Sequence, residues 1–207
     1  MLPASLAGVR ALDVGTFDGF WAFEMEKRGA EVVATDVPRL DAAEWPPANR
    51  ARLEQAAVDL NVELGRGFRI AAEALGSAVR RVEVSVYDLD PEAVGGPVAF
   101  AFVGALLLHL RDPVRALERL RDTLVPGGRL TILEPVDPIT SLLAPGRPAA
   151  RFQATETDFN WWASNVACLR HWLRAAGFER IARGGLHRGP GIGSMTMCAL
   201  GAYAPND

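Results

Sequence analysis

Short runs of apolar and β-branched residues alternate along the chain with segments whose apolar residues recur at helical spacing. Strands that alternate with helices form βαβ units, so the pattern predicts an α/β fold with a doubly wound, seven-stranded, Rossmann-like sheet. No clear helix separates the last two runs, which predicts that the last strand is antiparallel. The predicted strands are Val9–Val14, Val32–Thr35, Val82–Val86, Val98–Val103, Leu130–Glu134, Glu179–Arg183 and Met195–Ala202. The predicted helices are Phe20–Arg28, Arg50–Leu64, Phe68–Leu75, Val114–Leu124 and Leu169–Ala176.

Two stretches break this alternation. Pro38–Asn49 contains paired prolines, and Pro135–Asn165 is rich in proline, threonine, aspartate and aromatic residues. Loops of this length inside a compact domain are usually functional. We expect one domain over residues 1–207, with no cap before the first strand and with 38–76 and 135–165 as lid or substrate segments.

The stretch "LDVGTFDGF" joins the first predicted strand to the first predicted helix. Ligands of open α/β sheets bind at the carboxyl ends of strands, and the N-terminal amides of the next helix face the same place. Gly15 and Gly19 permit backbone conformations and close approaches that other residues resist. A dinucleotide site would need a third glycine here, and Asp18 lies where a pyrophosphate would approach. The turn therefore favours a ligand that carries positive charge.

Further acids stand at the ends of the first three strands, at Asp13, Asp36 and Asp88. Asp36 can accept hydrogen bonds from a ribose, Asp88 from an adenine amine, and Asp13 lies where an ammonium could be held. Taken alone, Asp36 could equally be a helix or turn cap, and Asp88 is more typical of a solvated turn acid. The ordered set predicts S-adenosylmethionine as the cofactor. The predicted contacts are Asp13, Gly15, Thr16, Phe17, Gly19, Asp36, Val37, Tyr87, Asp88 and Gly104.

With these motifs the sequence resembles class I S-adenosylmethionine-dependent methyltransferases over most of its length. "LDVGTFDG", "VVATD" and "VYDLDP" match the first three motifs, and "LVPGG" matches the turn before the fifth strand. In particular the chain resembles the tRNA 5-hydroxyuridine (mo5U34) methyltransferase-like subgroup. The shared elements are Gly15–Phe20, Val86–Leu89, Leu107–Pro113 and Asn160–Asn165. That subgroup has an aromatic residue at the position of Phe17, where the superfamily pattern has glycine.

Candidate residues for the acceptor side follow the fourth and fifth strands. His109 could act as a general base, since a neutral imidazole titrates in the useful range, or it could be a structural residue at a helix start. Glu134 could orient the acceptor or act as a second base, or it could pair with an arginine. The aromatic and amide residues predicted to bind substrate, or else to anchor loops, are Trp45, Asn160, Trp161, Trp162 and Asn165.

Composition narrows the function classes. The formal net charge of −3 gives no overall electrostatic footprint for nucleic acid, although a local basic patch stays open. Cys168 and Cys198 lack metal-ligand spacing, and no leader or membrane-length apolar run is present, so we expect a cytoplasmic protein without a metal.

Three functions remain in competition. The leading hypothesis is methyl transfer to a hydroxyl or amine of a small molecule, which the compact acidic chain favours. The alternatives are O-methylation of the tRNA wobble uridine, as the subgroup implies, and a cofactor-binding partner protein without turnover. A second subunit could complete the lid as a homodimer. Related folds also run non-methyl chemistry, so the fold alone leaves the reaction open.

Overall fold

The computed structural model describes residues 2–59, 63–155, 159–188 and 195–206. Seven strands form one sheet with the order β3-β2-β1-β4-β5-β9-β8, and two short strands pair separately. The strands are β1 (Arg10–Val14), β2 (Glu31–Asp36), β3 (Arg80–Glu83), β4 (Val98–Gly104), β5 (Leu124–Pro135), β6 (Ala150–Phe152), β7 (Trp162–Ser164), β8 (Glu179–Arg188) and β9 (Thr196–Tyr203). The helices are α1 (Phe20–Glu26), α2 (Pro47–Asp59), α3 (Arg66–Leu75), α4 (Pro91–Val94), α5 (Pro113–Thr123), α6 (Pro138–Leu143) and α7 (Val166–Ala175).

The main sheet confirms the predicted fold class. β1 pairs in parallel with both β2 and β4, so the strand order reverses at β1 and β4. β9 pairs in antiparallel fashion with β5 and with β8, which confirms the prediction for the last strand. The carboxyl ends of β1 and β4 therefore form the switch point at which open α/β sheets bind ligands.

The predicted boundaries differ at the third, fifth and sixth predicted strands and at the second helix, and the largest difference is at the start of the fifth strand. β3 ends at Glu83, before Val86, because Ser85 caps a short 3₁₀ turn over Val86–Asp88. β5 begins earlier than predicted, at Leu124. The helix predicted over Arg50–Leu64 is observed as α2, and the end of that prediction lies partly at 60–62, outside the described residues.

The sheet buries an apolar cluster on each face. One cluster contains Leu12 and Val103, and the other contains Ala11 and Phe102. Neighbouring residues of one strand thus face opposite sides, as the period of two in a strand requires. Helices on both sides cover the sheet, which explains why the central strands read as continuous apolar runs.

The long segment after β5 carries more structure than its composition predicted. α6 follows β5 directly, and β6 and β7 form an antiparallel pair in which Phe152 lies opposite Trp162. Asp137 caps α6 by accepting hydrogen bonds from the amides of Ile139 and Thr140. The segment is therefore a small substructure on the carboxyl edge of the sheet.

No helix of the described part of the chain is both long and apolar enough to cross a membrane. Within the same residues, no group of three or more His, Cys, Asp or Glu side chains could hold a metal ion.

Gly19 provides a test of the turn before α1. Its φ is +87°, and a Cβ there would lie 2.5 Å from Phe23 Cε2 and 2.7 Å from Phe68 Cδ2. We expect Gly19→Ala to lower the free energy of unfolding by about 3 kcal/mol, from backbone strain plus overpacking. Gly76→Ala is the matched control, because Gly76 has φ +62° and nothing within 4 Å of the added Cβ, so only strain of about 1 kcal/mol is added. Equal losses in urea denaturation would contradict the packing argument.

Candidate active site

Asp13, near the end of β1, binds a residue of the glycine turn. The residue is 2% exposed, and its Oδ2 accepts a 2.7 Å hydrogen bond from the Thr16 hydroxyl. Burial raises the pKa of Asp13 to about 7, against the lowering effect of the hydrogen bond from Thr16. Asp13 thus fixes Thr16 within the glycine turn.

Asp36 lies beside the turn at the end of β2. Its Oδ2 accepts from the Phe17 amide at 2.9 Å, and its Oδ1 accepts from the Val37 amide at 2.8 Å. The carboxylate is partly buried, and burial raises its pKa. Since a carboxylate oxygen has two lone pairs, each oxygen can still accept a hydrogen bond from a hydroxyl group of a ligand.

Asp18 was predicted to face a ligand at the glycine turn, but its carboxylate lies at a different place. A Cβ built at Gly67 would overlap the Asp18 carboxylate, so this acid sits against the first turn of α3. A carboxylate is stabilised at a helix N-terminus by the helix dipole. Asp18 therefore has a structural reason for being acidic, independent of any charge on a ligand.

The two polar residues of the third motif, Tyr87 and Asp88, lie in different environments. Asp88 is exposed at the end of the 3₁₀ turn, on the edge where the strands end. The Tyr87 hydroxyl donates a 2.6 Å hydrogen bond to Glu44 Oε2 and accepts from the Asp112 amide at 3.1 Å. Tyr87 thus binds protein groups, and burial raises the pKa of its phenol.

Gly104 ends β4 at the switch point. A Cβ at this position would lie 3.2 Å from Trp21 Nε1 and 3.0 Å from the Phe102 ring. A side chain at residue 104 would therefore displace the indole of α1 from the switch point.

His109 lies in the 3₁₀ turn Leu107–His109, just after β4. Its Nδ1 is 3.1 Å from the carbonyl oxygen of Phe159, which can only accept, so Nδ1 carries the proton and Nε2 the lone pair. Burial lowers the pKa of His109, so the imidazole is neutral at pH 7. A neutral, oriented imidazole with a free basic nitrogen is suited to general-base chemistry.

Glu134 supports that turn from the end of β5. The residue is 1% exposed, and its Oε1 accepts from the amides of Leu106 at 2.9 Å and Leu107 at 3.1 Å. Burial raises the pKa of Glu134 to about 7, although the backbone hydrogen bonds lower it. The groups that the carboxylate binds are backbone amides, which fix the position of the segment that carries His109.

The two adjacent tryptophans differ in burial, and both lie at Arg111. Trp161 is 6% exposed, with the Arg111 guanidinium 4.8 Å from its ring centroid. Trp162 is partly buried, and its Nε1 donates to the Arg111 carbonyl at 3.3 Å. The Trp161 amide donates to the Leu108 carbonyl at 2.8 Å, which places the residues just before β7 directly against the 3₁₀ turn of His109.

Asn165 is not part of this grouping. It is 0% exposed, and its Oδ1 accepts from the amides of Cys168, at 2.8 Å, and Ala149, at 3.1 Å. Its Nδ2 donates to the Arg147 carbonyl at 2.9 Å, so the side-chain amide is satisfied inside the protein. Asn165 is the N-cap of α7, and we do not include it in the acceptor site. Asn160 is partly buried, and its role in binding an acceptor stays a prediction.

Trp45 lies in the loop before α2. It lines a cavity of about 730 Å³ together with Pro38, Leu40, Val58 and Glu83. This cavity adjoins the ends of β2 and β3 and does not include the glycine turn. The expectation that Trp45 covers the cofactor stays a prediction.

Two residues other than glycine adopt the left-handed conformation at the switch point. Phe17 has φ +49° and Ala105 has φ +50°, and they follow the adjacent strands β1 and β4. Phe17 is also 59% exposed, despite its large apolar ring. Strained backbone of this kind concentrates at ligand sites.

The sequence was compared with known families and proteins. Residues 1–183 match the model of a family described as a methyltransferase domain. The chain belongs to this family. The predicted enzyme class, a methyltransferase that uses S-adenosylmethionine, agrees with the membership.

This methyltransferase-family chain is similar to curated proteins and to solved structures. It is 30% identical over 180 residues to a protein of Stutzerimonas stutzeri named tRNA U34 carboxymethyltransferase, with 85% of this chain and 47% of the relative covered. The chain thus spans about half the length of that curated relative.

Among solved structures, a Burkholderia thailandensis 1,6-didemethyltoxoflavin-N1-methyltransferase has a TM-score of 0.62 at 22% identity, over 96% of this chain and 72% of the other. An S-adenosylmethionine-dependent methyltransferase from Methanosarcina mazei has a TM-score of 0.65 at 15% identity, over 100% and 95%. These two likenesses show the fold.

The residues of this methyltransferase-family chain fit the expected cofactor. A Cβ at Gly15 would lie 3.2 Å from the Leu106 side chain, and the left-handed φ of +70° at that residue favours glycine. The turn is therefore a narrow cradle at the switch point, with the Asp36 carboxylate on one side. Such a cradle beside a carboxylate that can accept hydrogen bonds from ribose hydroxyls is compatible with an adenosyl ligand.

Sequence reasoning missed Glu44 and Arg111 in this methyltransferase-family chain. Glu44 lies in the proline-rich loop before α2, and its partners are dozens of residues away in the chain. No local pattern marks such a residue. Arg111 stands within the "HLRDP" element, so its position was visible but its contact with Trp161 was not.

Glu134 makes the stability of this methyltransferase-family chain depend on pH. Its folded pKa, about 7, lies above the ordinary value of 4.5, so its stabilising effect is complete below pH 4.5 and is lost as pH rises through 7. Glu134→Gln keeps an oxygen for Leu106 and Leu107 without the titration. We expect the free energy of unfolding of the wild type to fall relative to the variant by about 1.4 kcal/mol per pH unit in this window. Urea denaturation at pH 5 and pH 7 measures the difference; parallel pH profiles would contradict burial as the cause.

Proposed function

We propose that this chain transfers a methyl group from S-adenosylmethionine to a hydroxyl or amine of a small molecule. The observation that carries the proposal is His109, a neutral imidazole whose basic Nε2 is fixed by the hydrogen bond from Nδ1 to Phe159. The 3₁₀ turn Leu107–His109 begins three residues after Gly104, on the opposite side of the switch point from the glycine turn. A base at this place serves an acceptor that must lose a proton.

In this proposal, one set of residues binds the cofactor and His109 accepts the proton. The turn from Gly15 to Gly19 and the carboxylate of Asp36 would hold the amino acid and ribose portions of the cofactor, and Asp88 the adenine amine. When bound, the cofactor supplies an electrophilic methyl group on sulfur. His109 Nε2 takes the proton from the acceptor oxygen or nitrogen, while the protein holds that atom in line with the methyl group.

The surface around the turn favours a small apolar or aromatic acceptor. Phe17 and Phe20 are 59% and 64% exposed, and Trp162 is partly buried beside the His109 turn. Aromatic rings of this kind stack on planar molecules. The net charge of −3 also supports a small molecule over a polyanion.

A second candidate acceptor is the wobble uridine of tRNA. The relative from Stutzerimonas stutzeri that carries this substrate in its name is 30% identical over 180 residues. In the tRNA case a local basic surface would have to offset the overall negative charge.

Labelled S-adenosylmethionine separates these functions. The purified protein is incubated with the labelled cofactor and, in parallel, with bulk tRNA or with a protein-free extract of small metabolites. Label in the metabolite fraction supports the proposal, and label in tRNA supports the second candidate. Binding of S-adenosylhomocysteine with no label in either fraction would instead support a partner protein without turnover. Omitting the protein is the blank.

A further inference from the structure

The segment 106–112, called here the His109 turn, is bonded by four separate parts of the chain. The end of β5, the residues just before β7, the loop before α2 and the 3₁₀ turn after β3 each contribute. The pairs are Leu106 and Leu107 with Glu134, Leu108 with Trp161, His109 with Phe159, Arg111 with Glu44, and Asp112 with Tyr87.

Glu44, in the loop before α2, contacts the His109 turn and two of the other parts at once, namely the 3₁₀ turn after β3 and the residues just before β7. Its Oε2 accepts a 2.6 Å hydrogen bond from the Tyr87 hydroxyl and another of 2.6 Å from the Arg111 amide. Its backbone oxygen accepts from Trp161 Nε1 at 2.5 Å. Hydrogen bonds to a charged, partly buried group are stronger than neutral ones, and the Glu44 side chain is 26% exposed.

The chain around Glu44 leads directly to the candidate cofactor carboxylates. The loop that contains Glu44 starts one residue after Asp36, and Tyr87 is the immediate neighbour of Asp88. On the other side, Arg111 and Trp161 belong to the candidate acceptor side. A shift of either carboxylate on cofactor binding would therefore move groups that Glu44 binds.

We infer that Glu44 is a positioning residue that transmits the occupancy of the cofactor site to the His109 turn and to Trp161. This inference rests on the proposed function, because it assumes that the cofactor binds at Asp36 and Asp88. Among the contacts of the described residues, Glu44 binds neither the two carboxylates Asp36 and Asp88 nor His109 directly. It acts through Tyr87 and Arg111, which it holds in one fixed arrangement.

Hydrogen exchange with mass spectrometry tests the transmission, with S-adenosylhomocysteine as the probe and calorimetry as the measure of its binding. The variants are Glu44→Ala and Glu44→Gln, which keeps one neutral acceptor. Asp41→Ala is the matched control, since Asp41 lies in the same loop and its exposed carboxylate pairs with Arg39. Peptides over 106–112 and 159–165 report the acceptor side.

In the wild type we expect the probe to slow exchange in both peptides by about tenfold, the effect of stabilising one charged hydrogen bond. In Glu44→Ala the probe should still bind, within about threefold of the wild-type affinity, while the protection falls below about twofold. Glu44→Gln should restore part of the protection, and Asp41→Ala all of it. A residue that only stabilised the fold would not separate affinity from protection in this way.

Equal protection in the wild type and Glu44→Ala, or no protection in the wild type despite binding, would overturn the inference alone. A wild type that does not bind the probe would overturn the proposed function as well. If Glu44→Ala does not fold, Tyr87→Phe removes one of the hydrogen bonds and should reduce the protection by a smaller factor. Full protection in Tyr87→Phe would then overturn the inference.

Discussion

Replacement of His109 by alanine is expected to lower turnover by about a hundredfold or more, the typical effect of losing a general base. The affinity for S-adenosylhomocysteine should stay within about twofold, because the imidazole binds Phe159 and not the glycine turn. Turnover is measured as transfer of the labelled methyl group to whichever acceptor takes up label in the metabolite and tRNA screen. A mutation that lowers kcat without changing cofactor binding identifies a group that acts in the transition state.

His171→Ala is the control for this variant. His171 is exposed on α7 and far along the chain from the switch point, so its loss should leave turnover unchanged. Wild-type turnover in His109→Ala would make His109 a structural residue that fixes the residues before β7 through Phe159.

Asp36→Ala should weaken the binding of S-adenosylhomocysteine by about tenfold to a hundredfold. The variant loses the carboxylate that we propose for the ribose, and it also releases the amides of Phe17 and Val37. The loss of one hydrogen bond to a charged group already corresponds to this range. Phe17 has a φ of +49°, a strained conformation for a residue other than glycine. Losing the hydrogen bond to its amide therefore also removes a contact that holds the turn in this conformation. Isothermal calorimetry measures the change.

Asp41→Ala serves as the control here as well, since it removes an exposed carboxylate five residues later. If Asp36→Ala bound the ligand as tightly as the wild type, the assignment of the ribose site to the end of β2 would be wrong. Binding of NAD in preference to S-adenosylhomocysteine would contradict the whole cofactor assignment.

The sheet was predictable because its signal is local. Runs such as Val98–Val103 are apolar at every position, which only strands covered on both faces need, and the helices between them show their own spacing. The glycine turn was predictable for the same reason, since Gly15 and Gly19 bracket it within five residues. Strand ends were less certain, because the 3₁₀ turn at Val86 depends on a cap by Ser85.

The roles of individual polar residues were harder to predict, because their partners are distant in the chain. Asp18 was interpreted as facing the ligand, whereas α3 provides its environment. Asn165 was expected in the acceptor site, whereas it caps α7. A polar residue in a motif shows which hydrogen bonds or charges are possible at that position. Which partner it binds, a ligand or another part of the protein, depends on the fold.

The contacts around the His109 turn also limit how acceptor preference can be exchanged between relatives. A graft of residues 159–165 alone would bring a new neighbour for Glu44, Arg111 and His109 into a setting shaped for Trp161 and Phe159. Such a chimera needs the donor's versions of the loop before α2 and of 106–112 at the same time. Natural divergence of acceptor preference would accordingly proceed by coordinated substitutions at these three places, and laboratory recombination should place its crossover points outside all of them.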